Sequence, residues 1–168
     1  MIGTPLFWID GPWHGKLALA ARPRGGDWLE DEMAVWSGEG VNAVLSLLTS
    51  EEAGQLDLAA ESKAAAEHGM RFLSFPIEDR QVPVSPSELA KTLETVDREL
   101  ADGKNVVVHC RQGVGRSGLV GACLLVSRGM DAKSAIDRIS SARGVAIPET
   151  AEQRQWIDYF AGSFAGMK

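Results

Sequence analysis

Two chemically reactive side chains, Cys110 and Arg116, are separated by five residues in the segment HCRQGVGRSG at positions 109–118. A cysteine thiolate is a nucleophile, and a guanidinium can hold a phosphoryl group through two parallel hydrogen bonds. The glycines allow a tight turn that directs several backbone amides at one point. These residue types at this spacing predict a loop that binds a phosphoryl group beside a cysteine nucleophile.

The same segment also contains GVGRSG, which satisfies the G-x-G-x-x-G pattern of dinucleotide-binding loops. That function requires a second strand that ends in an acidic residue about 20 residues further on. Residues 131–144 (DAKSAIDRISSARG) instead have a helical period and no β-branched run. A Walker A loop is excluded because no Gly-Lys-Ser/Thr sequence closes the segment. Phosphate binding beside Cys110 is the interpretation that fits the context.

The residues of the loop have distinct expected roles. Backbone amides at a helix N-terminus bind phosphate, and they favour the thiolate form of a nearby cysteine. Ser117 is expected to hydrogen-bond the sulfur and to help it leave when a covalent intermediate breaks down. The expected phosphate-binding residues are Arg111, Gln112, Gly113, Val114, Gly115 and Arg116.

HCRQGVGRSG matches every fixed position of H-C-x-x-G-x-x-R-S/T-G and therefore resembles the active-site loop of the cysteine-dependent protein phosphatases. The order of strands and helices along the chain is most similar to the small dual-specificity members of this superfamily. The resemblance implies the phosphatase fold, a phosphocysteine intermediate on Cys110, and no metal or other cofactor. It also implies that His109 is buried and shapes the loop without transferring protons.

The resemblance further implies a general acid on a loop that follows a strand upstream of the cysteine. Asp79 in FPIEDRQVP matches this position, and Glu78 is its neighbouring alternative. Such a carboxylic acid protonates the leaving oxygen and then acts as a base toward water. In related phosphatases a late glutamine orients that water. Gln153 in IPETAEQRQW matches this role better than Gln155, with a plain surface glutamine as the alternative.

The remaining sequence predicts the elements that position these residues. Apolar runs predict strands at 16–21, 41–48, 70–77 and 105–109. The expected helix N-caps are Asp27, Thr49 or Ser50, and Ser85 or Ser87. Apolar spacing predicts helices at 27–36, 49–69 (interrupted before 57), 85–103, 115–128, 131–144 and 149–164.

This alternation of strands and helices predicts an α/β fold with a mainly parallel central sheet and helices on both faces. The 168 residues contain no repeat and no low-complexity linker, which predicts a single catalytic domain over residues 1–168. Ligands bind at the carboxyl ends of the strands in such sheets, and HCRQGVGRSG follows the strand at 105–109.

Composition restricts the partners that the chain can have. The net charge of -6 argues against nucleic-acid and membrane-surface partners, because both require a basic face. No apolar run is long enough for a membrane span, and no signal peptide is apparent. The two cysteines, Cys110 and Cys123, are too few for a disulfide scaffold and favour a cytoplasmic location. Cys123 lies in an apolar run and is expected to pack in the core.

The sequence therefore predicts a protein phosphatase whose partner is a phosphorylated protein, with phosphotyrosine and also phosphoserine or phosphothreonine as targets. The first alternative is a phosphate-binding or phosphoprotein-binding module with weak turnover. The second is a phosphatase of lipid or RNA phosphate, although the loop lacks lysines and the chain is acidic. Redox or sulfur-transfer chemistry at Cys110 ranks last, because such loops usually lack the Arg-Ser-Gly ending. The sequence does not predict an oligomeric state.

Overall fold

The computed structural model describes residues 3–167, so Met1, Ile2 and Lys168 of the predicted domain lie outside the described residues. A five-stranded sheet forms the centre of the fold. Its strands are β1 (Phe7–Ile9), β2 (Leu17–Ala20), β3 (Ala43–Ser46), β4 (Arg71–Ser74) and β5 (Val106–His109). They lie side by side in the order β1-β2-β5-β3-β4.

The sheet is mainly parallel, which confirms the predicted fold class. β5 pairs in parallel with β2 and β3, and β3 pairs in parallel with β4. β1 runs antiparallel to β2 at one edge. The sequence prediction missed β1, because a strand of three residues is too short to show a periodic pattern. The four predicted strands are present but span only four residues each, since their flanking residues leave the ladder for loops.

The helices follow the predicted order, and one predicted helical stretch contains two separate helices. A short 3-10 turn at Gly26–Trp28 leads into the first α-helix. The interruption predicted within the helix at 49–69 is present and divides it into two helices, and Asp57 between them has a left-handed backbone with φ of 58°. The α-helices are α1 (Leu29–Gly38), α2 (Ser50–Gln55), α3 (Glu61–Glu67), α4 (Pro86–Ala101), α5 (Gly115–Ser127), α6 (Ala132–Arg143) and α7 (Ala151–Met167).

Two of the predicted N-cap positions are occupied as expected. The Thr49 side chain caps α2 in a reciprocal capping box with Glu52, and Ser85 caps α4. Asp27 was wrongly predicted to be a cap, because it lies inside the 3-10 turn. Gly26 with φ of 59° allows that turn to start before the helix.

Helices cover both faces of the sheet and divide the core into two layers. Leu17 and Leu19 of β2 pack into the larger cluster with residues of α4 to α7. Ala18 and Ala20 point to the opposite face, where the smaller cluster includes Met33 of α1 and residues of α3. Side chains alternate between the faces of a strand, so a strand covered on both sides buries every side chain, and most of these side chains are apolar. This explains why β2, β3 and β5 are buried at every residue.

The carboxyl ends of three parallel strands meet at one edge of the sheet. β5 leads directly to Cys110, β3 leads to the capping box of α2, and β4 leads to the segment that contains Asp79. The topology therefore brings these three segments together at the carboxyl ends of the strands. Within residues 3–167, no helix has the length and apolar character needed to cross a membrane.

Candidate active site

The loop from Cys110 to Arg116 connects β5 to α5 and surrounds the thiol. Cys110 is buried, with 3% of its surface exposed. The backbone N–H of Gly113 donates to the Cys110 Sγ at 3.2 Å. Arg116 lies in the first turn of α5, so its positive charge and the helix N-terminus both act on the sulfur. The sulfur therefore lies between a backbone N–H donor and the first turn of a helix.

The loop can adopt this path only because position 113 is glycine. Gly113 has φ of 75°, and a Cβ there would lie 2.5 Å from the backbone carbonyl carbon of Ala20 in the adjacent strand. A side chain at this position is therefore strained and clashes with rigid backbone. At Gly115, a Cβ would lie 3.1 Å from both Gln153 and Glu149, so the loop also approaches the start of α7 closely.

Arg116 donates four hydrogen bonds, although only 2% of the side chain is exposed. Its Nη1 donates to Glu52 Oε1 at 2.6 Å and to the carbonyl oxygen of Ile77 at 2.7 Å. Its Nη2 donates to Glu52 Oε2 at 2.9 Å and to Asp79 Oδ1 at 3.1 Å. The buried Glu52 carboxylate thus fixes the plane of the guanidinium, and Asp79 contacts its outer edge.

The charges of Glu52 and Arg116 stabilise each other. Burial by itself raises the pKa of the Glu52 carboxyl, but hydrogen bonds from Arg116 and Thr49 and the nearby positive charges hold this pKa below its usual range. Burial likewise lowers the pKa of Arg116, and the Glu52 hydrogen bond with the charges around it raises this pKa further above its usual value. Both groups remain ionised throughout the neutral pH range.

Glu52 was not singled out from the sequence. TSEE at positions 49–52 is a recognisable helix start with a capping box, which explains the residue without any catalytic role. Its contact with Arg116 bridges 64 positions of the chain and is created by the packing of α2 against the loop.

A cavity of about 140 Å³ opens above Cys110. Its lining brings together four of the six residues predicted to bind phosphate, whereas Gly113 and Val114 do not line it. Gly113 instead contacts the sulfur, and Val114 precedes the first turn of α5. The lining residues are Asp79, Arg80, Cys110, Arg111, Gln112, Gly115, Arg116 and Glu149.

Between the two acid candidates, the geometry favours Asp79. Its side chain lines the cavity, is half exposed, and contacts Arg116. Glu78 is exposed and does not line the cavity. The next residue, Arg80, forms an ion pair with Glu149 at 3.2 Å, which joins the loop that carries Asp79 to the loop before α7.

The Gln153 side chain is fully buried and holds these two loops together. Its Oε1 accepts from the backbone N–H groups of Glu149 and Thr150, each at 3.1 Å. Its Nε2 donates to the carbonyl oxygen of Gln81 at 3.2 Å. Gln155 is exposed. In this arrangement Gln153 supports the wall of the cavity, and a role in orienting water remains a prediction.

His109 and Ser117 are both fully buried around the base of the loop. His109 Nδ1 lies 3.3 Å from the carbonyl oxygen of Cys110. The Ser117 hydroxyl has no hydrogen-bond partner among the described residues, so the predicted bond from Ser117 to the sulfur is not formed. The contact that the sulfur receives comes from the backbone of Gly113, which the turn of the loop places closer to it.

Arg143 also supports the loop and was not identified from the sequence. It donates from Nε to the Gly113 carbonyl oxygen and from Nη2 to the Gln112 carbonyl oxygen, both at 3.0 Å. Its guanidinium carbon lies 4.0 Å from the centre of the Phe7 ring on β1. Holding the carbonyls on the outer side of the loop leaves its amides free to face the cavity.

One further prediction concerns a residue outside the cavity. Cys123 packs in the core of α5 as predicted, and burial raises the pKa of its thiol well above the usual value. It stands eight positions after Gly115 in the same helix, a rise of about 12 Å. In the part of the chain that the structure describes, no cluster of histidine, cysteine and acidic residues could hold a metal ion.

The fold and the site together define the class of the protein as a cysteine-dependent phosphatase domain of the protein-tyrosine and dual-specificity superfamily. Residues 18–130 match the family model described as "Polymorphic toxin system, DSP-PTPase phosphatase". This match covers more than half of the chain, and the chain belongs to this family. The resemblance seen in the sequence is confirmed.

Individual relatives agree with this assignment. The chain is 38% identical over 98 residues to an Arabidopsis thaliana protein named phosphatidylinositol 3,4,5-trisphosphate 3-phosphatase and protein-tyrosine-phosphatase PTEN1, covering 54% of this chain and 23% of the relative. It is 29% identical over 149 residues to the putative tyrosine phosphatase 197R of Invertebrate iridescent virus 6, covering 80% of this chain and 53% of the relative. The chain thus spans about a quarter to a half of these two relatives.

A solved structure supports the fold. The crystal structure of kinase associated phosphatase, with its catalytic cysteine replaced by serine, is similar with a TM-score of 0.88 over 98% of both chains. The sequence identity is 20%, so this likeness concerns the fold alone.

Proposed function

We propose that the protein hydrolyses phosphomonoesters on proteins through a phosphocysteine intermediate on Cys110. Phosphotyrosine is the primary target, and phosphoserine or phosphothreonine are further targets. Arg116 and the loop amides bind the phosphoryl group, and Asp79 is the general acid and then the general base. The observation that carries this proposal is the convergence of Cys110, Arg116 and Asp79 on one small cavity at the carboxyl edge of the sheet.

In the first step, the Cys110 thiolate attacks phosphorus while the bond from phosphorus to the ester oxygen breaks. Asp79 gives its proton to that departing oxygen, so the product leaves as a neutral alcohol or phenol. In the second step, water attacks the phosphocysteine and the bond between phosphorus and sulfur breaks. Asp79 takes a proton from the water, inorganic phosphate is released, and Cys110 returns to the thiolate.

The contacts of Arg116 link substrate binding to the acid. Glu52, Ile77 and Asp79 accept hydrogen bonds from four of its five N–H groups. A phosphoryl group that accepts two parallel hydrogen bonds from the guanidinium must bind on the side that includes Nη2. We infer that the phosphoryl group displaces Asp79 from Nη2. The freed Asp79 carboxyl group then lies beside the bound phosphoryl group, within reach of the departing oxygen that receives its proton.

Hydrolysis of para-nitrophenyl phosphate in the presence of a metal chelator tests the proposal. The wild-type protein is expected to release phosphate and to be inhibited by orthovanadate, which mimics five-coordinate phosphorus. Cys110→Ser is expected to lose this activity while retaining phosphate binding. If Cys110→Ser hydrolyses the ester as fast as the wild type, the cysteine mechanism is wrong. Phosphate binding without turnover in the wild type points to a recognition module instead.

A phosphoinositide is the second candidate substrate. Arg80 and Arg111 line the cavity, where they pair with Glu149 and Glu52, and an additional phosphate would take the place of these carboxylates. The name of the Arabidopsis thaliana relative includes both lipid and protein phosphatase activities. Phosphate release from short-chain phosphoinositides, compared with release from phosphotyrosine peptides at equal concentration, separates the two candidates. A higher kcat/KM on the lipids would place the phosphoinositide first.

A further inference from the structure

A carboxylate and an imidazole are buried together beneath the loop, on the face of the sheet opposite α5. Glu61, the first residue of α3, is 3% exposed, and His109, the last residue of β5, is fully buried. Glu61 Oε2 lies 2.6 Å from His109 Nε2. The other ring nitrogen, Nδ1, lies 3.3 Å from the carbonyl oxygen of Cys110. The imidazole therefore bridges Glu61 and the nucleophile's backbone.

These two contacts restrict where protons can lie on the ring. An uncharged imidazole carries one N–H. If Glu61 is ionised and accepts that N–H from Nε2, then Nδ1 carries no proton. No hydrogen bond can form between this nitrogen and the carbonyl oxygen, because both are acceptors. Both contacts are satisfied either by an imidazolium with a carboxylate or by an Nδ1–H imidazole with a protonated carboxyl group. In both arrangements Nδ1 carries a proton and donates it to the Cys110 carbonyl.

A hydrogen bond to this carbonyl also orients the next amide. In a planar trans peptide the C=O and the N–H point in opposite directions. Holding the Cys110 carbonyl toward His109 turns the N–H of Arg111 away from it. Arg111 lines the cavity and belongs to the loop that surrounds Sγ. The direction of this first loop amide thus depends on the proton at Nδ1.

We propose that Glu61 is a positioning residue for Cys110. It holds His109 in the form protonated at Nδ1, and His109 in turn directs the first amide of the loop at the phosphoryl group. The catalytic consequence rests on the proposed phosphatase function, whereas the protonation of His109 and the binding of oxyanions do not require turnover.

Two substitutions at Glu61 separate positioning from packing. In Glu61→Gln, the side-chain amide can donate to Nε2, so neutral His109 keeps its proton at Nδ1. Glu61→Ala removes the partner and releases this constraint. Glu99→Ala is the matched control, because Glu99 is a similarly buried carboxylate that is 5% exposed and pairs with Arg71 away from the cavity.

Three readouts are measured on each variant. The chain has three histidines, so nitrogen-15 NMR of the rings can resolve the protonation of His109. Orthovanadate affinity reports the loop without turnover, and kcat and KM for para-nitrophenyl phosphate report catalysis. We expect Glu61→Gln to keep the Nδ1–H signal with kcat within about threefold of wild type. We expect Glu61→Ala to lose that signal, with kcat and orthovanadate affinity each lower by about tenfold, the loss that one charged hydrogen bond produces.

The Glu99→Ala control distinguishes a positioning role of Glu61 from a packing role. Glu99→Ala is expected to lower the melting temperature but to leave kcat and orthovanadate affinity near wild type. If Glu61→Ala lowers only the melting temperature, as Glu99→Ala does, Glu61 has a packing role and the proposal is wrong. If the wild type does not turn over but Glu61→Ala still loses the Nδ1–H signal and orthovanadate affinity, the positioning role stands and the phosphatase function fails.

Discussion

At the scale of single residues, the site places the Asp79 carboxylate on Arg116, the cation that we propose to bind the phosphoryl group. Asp79 Oδ1 lies 3.1 Å from Arg116 Nη2, while Glu52 holds the inner side of the same guanidinium. The two carboxylates differ in burial, since the Glu52 side chain is 10% exposed and that of Asp79 is 52% exposed. Glu52 is therefore suited to a permanent structural charge, and Asp79 is suited to exchange with a phosphoryl group and with water.

This assignment predicts that Asp79→Asn lowers kcat according to the leaving group. For phenyl phosphate, whose leaving oxygen needs a proton, we expect a loss of about 100-fold or more. For para-nitrophenyl phosphate, whose leaving group is already stable as an anion, the loss is expected to be smaller. Glu78→Gln changes the neighbouring carboxylate and is expected to leave both rates near wild type. Steady-state kinetics on the two esters tests this, and equal losses on both would remove Asp79 from the role of acid.

At the scale of elements, a strand, a loop and a helix form the proposed phosphate-binding unit, and other elements hold it from outside. β5 ends at His109, the loop turns through Gly113 with positive φ, and α5 begins at Gly115. Arg143 at the end of α6 binds two carbonyls of the loop. The loop is thus shaped by its own glycine and by a side chain that is distant in sequence.

Gly113→Ala is expected to distort this unit while leaving the rest of the fold in place. The added Cβ meets the backbone of Ala20 at 2.5 Å, so the loop must move. A displacement of about 1 Å at a catalytic group lowers kcat by about 100-fold. Gly162→Ala is the control, because position 162 is an exposed helical site with no atom within 4 Å of the new Cβ. It is expected to stabilise the protein by about 0.5–1 kcal/mol with unchanged kcat. Wild-type kcat in Gly113→Ala would contradict the role given to the loop backbone.

At the scale of the whole molecule, the buried Glu32 and the partly buried Asp97 tie separate regions together. Glu32 accepts from the backbone N–H groups of Thr4 and Arg24, and Asp97 accepts from Trp13 and Arg128. Burial raises the pKa of each carboxyl group, yet hydrogen bonds from these partners and from arginine side chains hold both pKa values below their usual range. Together with Glu52, these groups join the N-terminal segment, α4 and the loop to the rest of the fold.

The direction of these pKa shifts predicts destabilisation in acid. A carboxyl group whose pKa is lower in the folded state stabilises the fold above its unfolded pKa, and this contribution is lost as pH falls through the folded pKa. The free energy of unfolding is therefore expected to decrease as pH falls below about 4, the region where unfolded carboxyl groups take up protons. Urea unfolding between pH 7 and 3 measures this. Glu52→Gln is expected to be less stable at pH 7 and to show a shallower decline in acid. An equal slope in the variant would mean that Glu52 does not contribute.

The sequence by itself determined the local features of this protein. HCRQGVGRSG identified the family and predicted the nucleophile and the guanidinium, because a loop of this kind is built from contiguous residues with fixed spacing. The continuous apolar runs of β2, β3 and β5 identified the parallel sheet, because strands covered on both faces have no polar side.

Only the tertiary structure decided which distant side chains serve the loop. Glu52 reaches Arg116 across 64 positions and Glu61 reaches His109 across 48, and neither spacing is set by a helical or strand period. Gln153 and Arg143 act on loop segments 72 and 30 positions away. The antiparallel strand β1 is defined by its pairing with β2, since three residues carry no pattern of their own. Periodicity reports which side of an element faces the core, whereas the partner that a buried charge meets depends on how the elements pack together.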